Sequence, residues 1–164
     1  QIYTKRKEYD MALSWITKAI EINPVKSRNY FNRAVIFDLL NKSYSDSFED
    51  SWTINEQKDF QKNQINLKIA EISDYTLAIK YNKDYALAYR SRGLAFEYIA
   101  NRLEYNQVLE FYLEISEEFK NFYNKSSVTD NAYKHFNLLA CSDWSMASKL
   151  GNTESKKWVI EDCN

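Results

Sequence analysis

A pattern of small and aromatic residues occurs three times along this chain, each time in the same helical register. In the first copy Ala12 and Ala19 lie a heptad apart on one helix face, with Ile16 between them. An aromatic residue follows the first position by eighteen residues in every copy, giving the pairs Ala12 and Tyr30, Glu71 and Tyr89, and Ala140 and Trp158. Chance rarely places three copies in one register, so the pattern indicates a repeated helical unit.

The aromatic residues of the first two copies open a longer motif, Tyr30-x-x-Arg33-Ala34-x-x-Phe37 and Tyr89-x-x-Arg92-Gly93-x-x-Phe96. These motifs resemble the tetratricopeptide repeat family, whose unit of about 34 residues pairs a helix A with a helix B and ends in proline. The resemblance places Tyr30, Tyr89 and Trp158 at the leading aromatic position, and Ala34 and Gly93 where helices A and B approach closely. Two departures are that Glu71 replaces a small residue and that only the first unit keeps a proline, Pro24.

The resemblance implies an all-α fold, an α-solenoid of helical hairpins with two extended helices and a C-terminal capping helix, in one domain over residues 1–164. In the family the leading aromatic precedes the small residue of helix B by about 16 positions, whereas here the separations are 41 and 51. We therefore expect insertions at about 42–66 and 102–130, side by side on one edge. In the same frame Gln1 falls inside a helix A. Residues 2–22 should then hold the end of that helix and a whole helix B, with the chain truncated at its N-terminus.

The scarcity of helix breakers supports long helices, since the 164 residues include only two glycines and one proline. The stretch from Trp52 to about Lys80 contains none, which predicts a helix of nearly thirty residues, about 43 Å long. The apolar stripe of the helix that begins at Ala86 turns near Asn101, so this helix either ends there or continues with another partner. We favour continuity, because the long helix needs cover. Ser27 and Asp130 are candidate N-caps, and Gly151-Asn152 should end the last helix B.

The sequence gives little evidence of catalysis or of nucleic-acid binding. The one histidine, His135, lies in an aromatic stretch and is interpreted as a surface or half-buried helix residue. The sequence offers no set of metal-ligating residues around it. No phosphate loop, nucleophile motif or paired acids of catalytic spacing occur, so we expect no enzyme and no cofactor. The 22 basic and 23 acidic residues alternate, which argues against nucleic acid as a partner and favours a core for the many aromatic residues. No apolar run is long enough to predict a membrane span.

These observations favour a non-catalytic protein–protein interaction scaffold. By the resemblance, a peptide or partner helix would bind on the concave face lined by helix A residues, which are Arg28, Phe31, Asn32, Val35, Asp38, Arg90, Ser91, Leu94 and Glu97. The alternative for these residues is a solvated helix surface. The alternative function is an architectural subunit of a larger assembly, self-associating through the inserted edge. An enzyme with an unrecognised site is a third and poorer interpretation.

The two cysteines, Cys141 and Cys163, decide what can be expected of the compartment. Each lies about 14–15 Å along its helix from the turn at Gly151, so antiparallel packing would bring the two to one level. Either they form a disulfide or they are two separate thiols. A disulfide would point to a periplasmic or exported protein, and two thiols to a cytoplasmic one.

Overall fold

The computed structural model describes residues 2–45, 52–103, 113, 117–125 and 131–163. Over these ranges the chain forms helices and no strands, so the predicted all-α class is confirmed. The helices are α1 (Ile2–Ile22), α2 (Ser27–Ser45), α3 (Ile54–Tyr81), α4 (Ala86–Leu103), α5 (Glu117–Lys125), α6 (Ala132–Lys149) and α7 (Thr153–Asp162).

The long helix predicted after Trp52 is confirmed as α3, which has 28 residues and so extends about 42 Å. A capping box starts it. The Thr53 hydroxyl accepts the backbone N–H of Glu56, and the Glu56 carboxylate accepts the backbone N–H of Thr53. The helix ends at Tyr81, just before Asn82, whose extended backbone still donates to the Ala78 carbonyl.

Gly151 ends α6 as predicted, because its positive φ of 92° is a conformation that other residues adopt at a cost. The Asn152 N–H reaches the Ala147 carbonyl and the Gly151 N–H reaches that of Ser148, which is the Schellman pattern of hydrogen bonds. Asn152 then caps α7, since its side chain accepts the Ser155 N–H. One residue thus closes one helix and opens the next.

Three sequence-based expectations about boundaries need correction. Residues 2–22 form one continuous helix and not the end of a helix A followed by a helix B, because nothing in this stretch interrupts backbone hydrogen bonding. The N-cap of α6 is Asn131, whose side chain accepts the Lys134 N–H, and not Asp130. Ser27 is the first residue of α2. Continuity of α4 beyond Leu103 falls on residues 104–112, outside the described part of the chain.

Four pairs of helices that are adjacent in sequence are also neighbours in space. The pairs α1 and α2, α2 and α3, α3 and α4, and α6 and α7 all pack together, and α4 packs against α6. One apolar core lies among α1 to α4 with Ala147 of α6, and a second lies mainly between α4 and α6 around Phe136 and Trp144. This order of packing positions α2 between α1 and α3, and α4 between α3 and α6.

The helical part of the second predicted insertion, α5, packs against α3. Phe122 of α5 stacks on Phe136 with 5.7 Å between the ring centroids, and Phe122 and Tyr123 contact the second core. In the first predicted insertion, Phe60 of α3 is buried, and the Trp52 ring lies 5.3 Å from it. The first segment is thus largely part of α3, and the described helix of the second segment packs against α3. The remainder of each insertion, at 46–51 and within 104–130, lies largely outside the described residues.

Among the described residues, the helices do not include one that is apolar over enough of its length to cross a membrane.

Candidate functional site

Arg33 of α2 connects the helices on either side of it. Its guanidinium forms a two-pronged ion pair with Asp74 of α3, with N–O distances of 2.6 and 2.8 Å, and a third nitrogen lies 3.4 Å from the Thr17 hydroxyl of α1. The Asp74 side chain is only 4% exposed. Such a bidentate pair fixes orientation as well as distance, so it sets how α2 sits between α1 and α3.

Arg92 of α4 makes an equivalent set of contacts. The helices joined by Arg33 are called the first unit here, and those joined by Arg92 the second unit. Arg92 pairs with both oxygens of Asp143 in α6, at 2.7 and 2.8 Å, and donates to the Thr76 hydroxyl of α3 at 3.0 Å. The arginine follows its threonine by 16 positions in both units, while the aspartate follows the arginine by 41 in one and 51 in the other. The two sets of contacts are geometrically equivalent although the intervening connections differ in length.

A close helix approach accompanies each arginine. Ala34 is fully buried in the first core, and Gly93 lies against Trp144 of α6. A methyl group built on Gly93 would clash with the Trp144 indole, reaching 2.6 Å from Cδ1, and would come to 3.2 Å from the Ala140 carbonyl. The expectation that Gly93 stands at a close approach of two helices is therefore met.

The predicted partner-binding residues on α2 differ in their exposure and in their contacts. Arg28 and Asn32 are exposed, and Val35 is half-buried. Phe31 is engaged within the molecule, because its ring stacks on Tyr85 at 4.9 Å and contacts Tyr75 at 5.6 Å. Arg28 and Asn32 therefore remain available to a ligand, and Val35 is available over a smaller part of its surface.

Asp38, the last predicted residue on α2, belongs to a charged cluster with α3. Its carboxylate pairs with Lys42 at 2.7 Å and with Lys68 at 3.2 Å. Lys68 is almost fully buried, with its ammonium 2.6 Å from the buried Glu71 carboxylate and 4.8 Å from the centre of the Tyr98 ring. Lys68 thus bridges two acids and an aromatic face between α2, α3 and α4.

Burial changes the acid–base behaviour of this cluster. It raises the pKa of Glu71 to about 7, because removal from water penalises the carboxylate more than Lys68 stabilises it. Burial alone would also raise the pKa of Asp38, but the hydrogen bond from Lys42 and the charge of Lys68 lower it overall. Burial raises the pKa of Tyr75, and the charge of Glu71 adds to that effect. Glu71 is therefore the group whose charge changes near neutral pH.

Helix α7 lies beside the predicted partner-binding residues of α4. Arg90 pairs with Glu154 at 2.8 Å and lies over the Trp158 ring at 5.1 Å. Burial raises the pKa of Glu97, and the charge of Asp162 at the end of α7 raises it further. Leu94 packs on the second core, and Ser91 hydrogen-bonds Tyr75. The nine predicted residues thus lie on α2 and α4, and five of them make contacts within the molecule, which are Phe31, Asp38, Arg90, Ser91 and Leu94.

A disulfide joins the end of α7 to α6. Cys141 and Cys163 are bonded, with 5.6 Å between their Cα atoms, so the pairing considered from the sequence is present. Trp158 lies 5.2 Å from Trp144, and Trp158 and Val159 also contact the second core. Ile160, the other apolar residue of this helix, is 62% exposed. The bridge and two apolar side chains hold α7 in place.

The described residues contain no cluster of histidine, cysteine or acidic side chains suited to a metal ion. His135 is half-buried, with its ring edge-on to Phe136. Comparison with protein-family models, with curated proteins and with solved structures finds no match to this chain.

Proposed function

We propose that this chain is a tetratricopeptide-like, non-catalytic interaction scaffold that binds a peptide or partner helix on the concave face of its A helices, which are α2 and α4. The observation that carries the proposal is the twofold occurrence of the threonine–arginine–aspartate connection in one register. It supports a stack of equivalent helical units, and such stacks form extended concave binding surfaces.

The available side chains favour a mixed polar and apolar ligand. Arg28 and Asn32 are exposed donors on α2, and Val35 offers a half-buried apolar surface one turn away from Asn32. Glu97 on α4 adds an acid that is already held near another acid, Asp162. A basic ligand group near Glu97 would offset the repulsion between Glu97 and Asp162. A hydrogen-bond acceptor of the ligand near Arg28 would form a second favourable contact.

A random peptide library displayed on phage is the probe for this surface, because the natural ligand is not needed. Peptides selected on the native chain should lose roughly tenfold or more in affinity for the variant Arg28→Glu/Glu97→Lys, since both charges would be reversed at little structural cost. We avoid Arg90 because its reversal would also break the pair with Glu154. Leu138→Ala, at an exposed site on α6, is the matched control.

Helical circular dichroism establishes that each variant remains folded. Selected peptides that bind the double variant as well as the native chain would overturn the proposed surface. The second candidate function, an architectural subunit that associates through the inserted edge, is favoured by the packing of α5 on the long α3. Concentration-dependent dimers that are unaffected by the double variant would support that candidate.

A further inference from the structure

The ammonium group of Lys68 is shared between two carboxylates that differ in their access to water. It lies 2.6 Å from the Glu71 carboxylate and 3.2 Å from that of Asp38. The Glu71 side chain is 4% exposed, whereas that of Asp38 is 28% exposed. One buried cation therefore connects a buried acid of α3 to a partly exposed acid of α2.

Further charged groups of α2, α3 and α4 lie around these two acids. Lys42 of α2 donates to Asp38 at 2.7 Å, and its charge also acts on Glu71. The Tyr75 phenol of α3 is close enough to feel the charges of Glu71 and Asp38, and that of Arg90 from α4. Two ammonium groups and two carboxylates thus meet where α2 packs on α3.

Helices α4 and α5 close the other sides of α3. The Tyr98 ring of α4 lies 4.8 Å from the Lys68 ammonium, and the Arg102 guanidinium lies 5.2 Å from the centre of the same ring. Helix α5 packs on α3 and brings Tyr123 against the second core. The aromatic face of Tyr98 therefore favours the position of Lys68 between the two acids.

The net charge of this cluster depends on one proton. With both acids ionised, Asp38 and Glu71 balance the charges of Lys42 and Lys68. When Glu71 holds a proton, Asp38 alone faces the two ammonium groups and the cluster carries one net positive charge. Burial raises the pKa of Glu71 to about 7, whereas the two lysines lower the pKa of Asp38. Asp38 therefore stays ionised while the charge beside it changes.

We infer that the proton on Glu71 sets how strongly the Asp38 carboxylate attracts a basic side chain of a bound peptide, so that pH regulates this end of the concave face. Asp38 is one of the predicted partner-binding residues, so this regulation rests on the proposed function. An ionised Glu71 competes for Lys68 and leaves more of the Asp38 charge to a ligand. A lysine or arginine of the peptide should therefore bind more tightly above neutral pH than below it.

The coupling also acts in the opposite direction, because linkage between two binding events is reciprocal. A cation bound beside Asp38 favours the ionised form of Glu71 and so lowers its pKa. Binding of a basic peptide slightly below neutral pH should therefore release a proton from Glu71. Isothermal titration calorimetry in two buffers of different ionisation enthalpy measures this release, which should be absent in Glu71→Gln.

The first test needs no ligand. Carbon-detected NMR follows the side-chain carboxyl carbons of Asp38 and Glu71 in the native chain from about pH 5 to about pH 9. The Asp38 signal should shift at the midpoint of the Glu71 titration. The shift should be absent in Glu71→Gln, which imitates the protonated acid, and present in Asp59→Asn, which removes an exposed acid of the same helix.

The second test selects the random phage library on the native chain at about pH 8 and elutes it at about pH 6. Eluted peptides should contain lysine or arginine and should bind roughly threefold or more weakly at the lower pH, because a positive charge appears beside the ligand. Glu71→Gln should bind them weakly at both pH values, with a ratio near one. Asp38→Asn should lower the affinity and the ratio together, and circular dichroism establishes that each variant is folded.

Two results would overturn the proposed regulation by Glu71. They are an Asp38 signal that does not respond to the Glu71 titration, and a pH dependence of peptide binding that survives in Glu71→Gln. A library that yields no peptide dependent on Arg28 or Glu97 would overturn the proposed function, and with it the regulatory role. The NMR result involves no ligand, so the two failures can be distinguished.

Discussion

The first and second units share one polar anchor but pack around it differently. Where Arg33 holds Asp74, the buried residue three positions before the aspartate is Glu71, paired with Lys68. Where Arg92 holds Asp143, that position is Ala140, and Gly93 makes room for Trp144. The two units therefore share the arginine–aspartate ion pair and differ in the side chains that pack around it.

The last helix extends the comparison, because it has no arginine anchor. In the repeat register Glu161 of α7 stands where Arg33 and Arg92 stand, and it is exposed. The disulfide between Cys141 and Cys163 attaches α7 to α6 instead. A covalent link thus replaces the ion pair at the end of the series.

Removing either anchor should have the largest effect. Arg33→Met and Arg92→Met each leave a buried aspartate without its charged partner, which should cost about 3–5 kcal/mol of unfolding free energy. Urea denaturation measures the loss. The two values should agree within about 1 kcal/mol, because the contacts are equivalent. A loss confined to one variant would break the comparison.

Opening the disulfide should be next in size. Cys163→Ser removes a link between residues 22 positions apart and should cost about 3 kcal/mol, with α7 released first. Thermal unfolding gives the total, and limited proteolysis shows where cleavage begins. Protein isolated from its native compartment without reductant should be lighter by two hydrogens than the reduced form. Two alkylatable thiols in that sample would instead favour a cytoplasmic location.

Glu71 should make the unfolding free energy depend on pH up to near neutrality. The native carboxyl binds its proton more tightly than the unfolded one, so unfolding releases a proton between pH of about 4.5 and about 7. The unfolding free energy should therefore fall as pH rises through this interval, by roughly 2–3 kcal/mol relative to Glu71→Gln. Parallel pH profiles for the native chain and this variant would contradict the assignment.

Gly93→Ala should have the smallest effect. The added methyl overpacks against Trp144 at a cost of about 1–3 kcal/mol, partly offset by about 1 kcal/mol of improved helix propensity. Trp144→Phe should make the substitution less costly, so the double variant should be more stable than the sum of the single changes predicts. Ala34→Gly in the first unit is the control, since it creates no clash. Strict additivity would exclude the close approach.

Local rules made much of the fold predictable from the sequence. The length of α3 follows from the absence of breakers, and the end of α6 from Gly151. The boundary expected within residues 2–22 was wrong because it came from the family frame, while nothing in that stretch can end a helix. That Cys141 and Cys163 lie at the same height on neighbouring helices could be predicted from the helical rise per residue alone.

The site was predictable only in part. Arg33 and Arg92 stood out in the motif, but their partners lie 41 and 51 positions away, beyond insertions whose paths the sequence does not determine. A usable signal was present, since Asp74 and Asp143 each follow the small-residue position of the pattern by three residues. The cover that α7 gives to α4 depends on tertiary packing, which helix patterns do not specify.

The repeated anchor is tested most directly by two double-mutant cycles, one across Arg33 and Asp74 and one across Arg92 and Asp143. Each cycle compares Arg→Met, Asp→Asn and the double variant by urea denaturation. The account predicts favourable coupling of about 1.5–3 kcal/mol in both cycles, with similar values. Coupling near zero in both, or in one alone, would contradict the claim that the two units are built on the same contact.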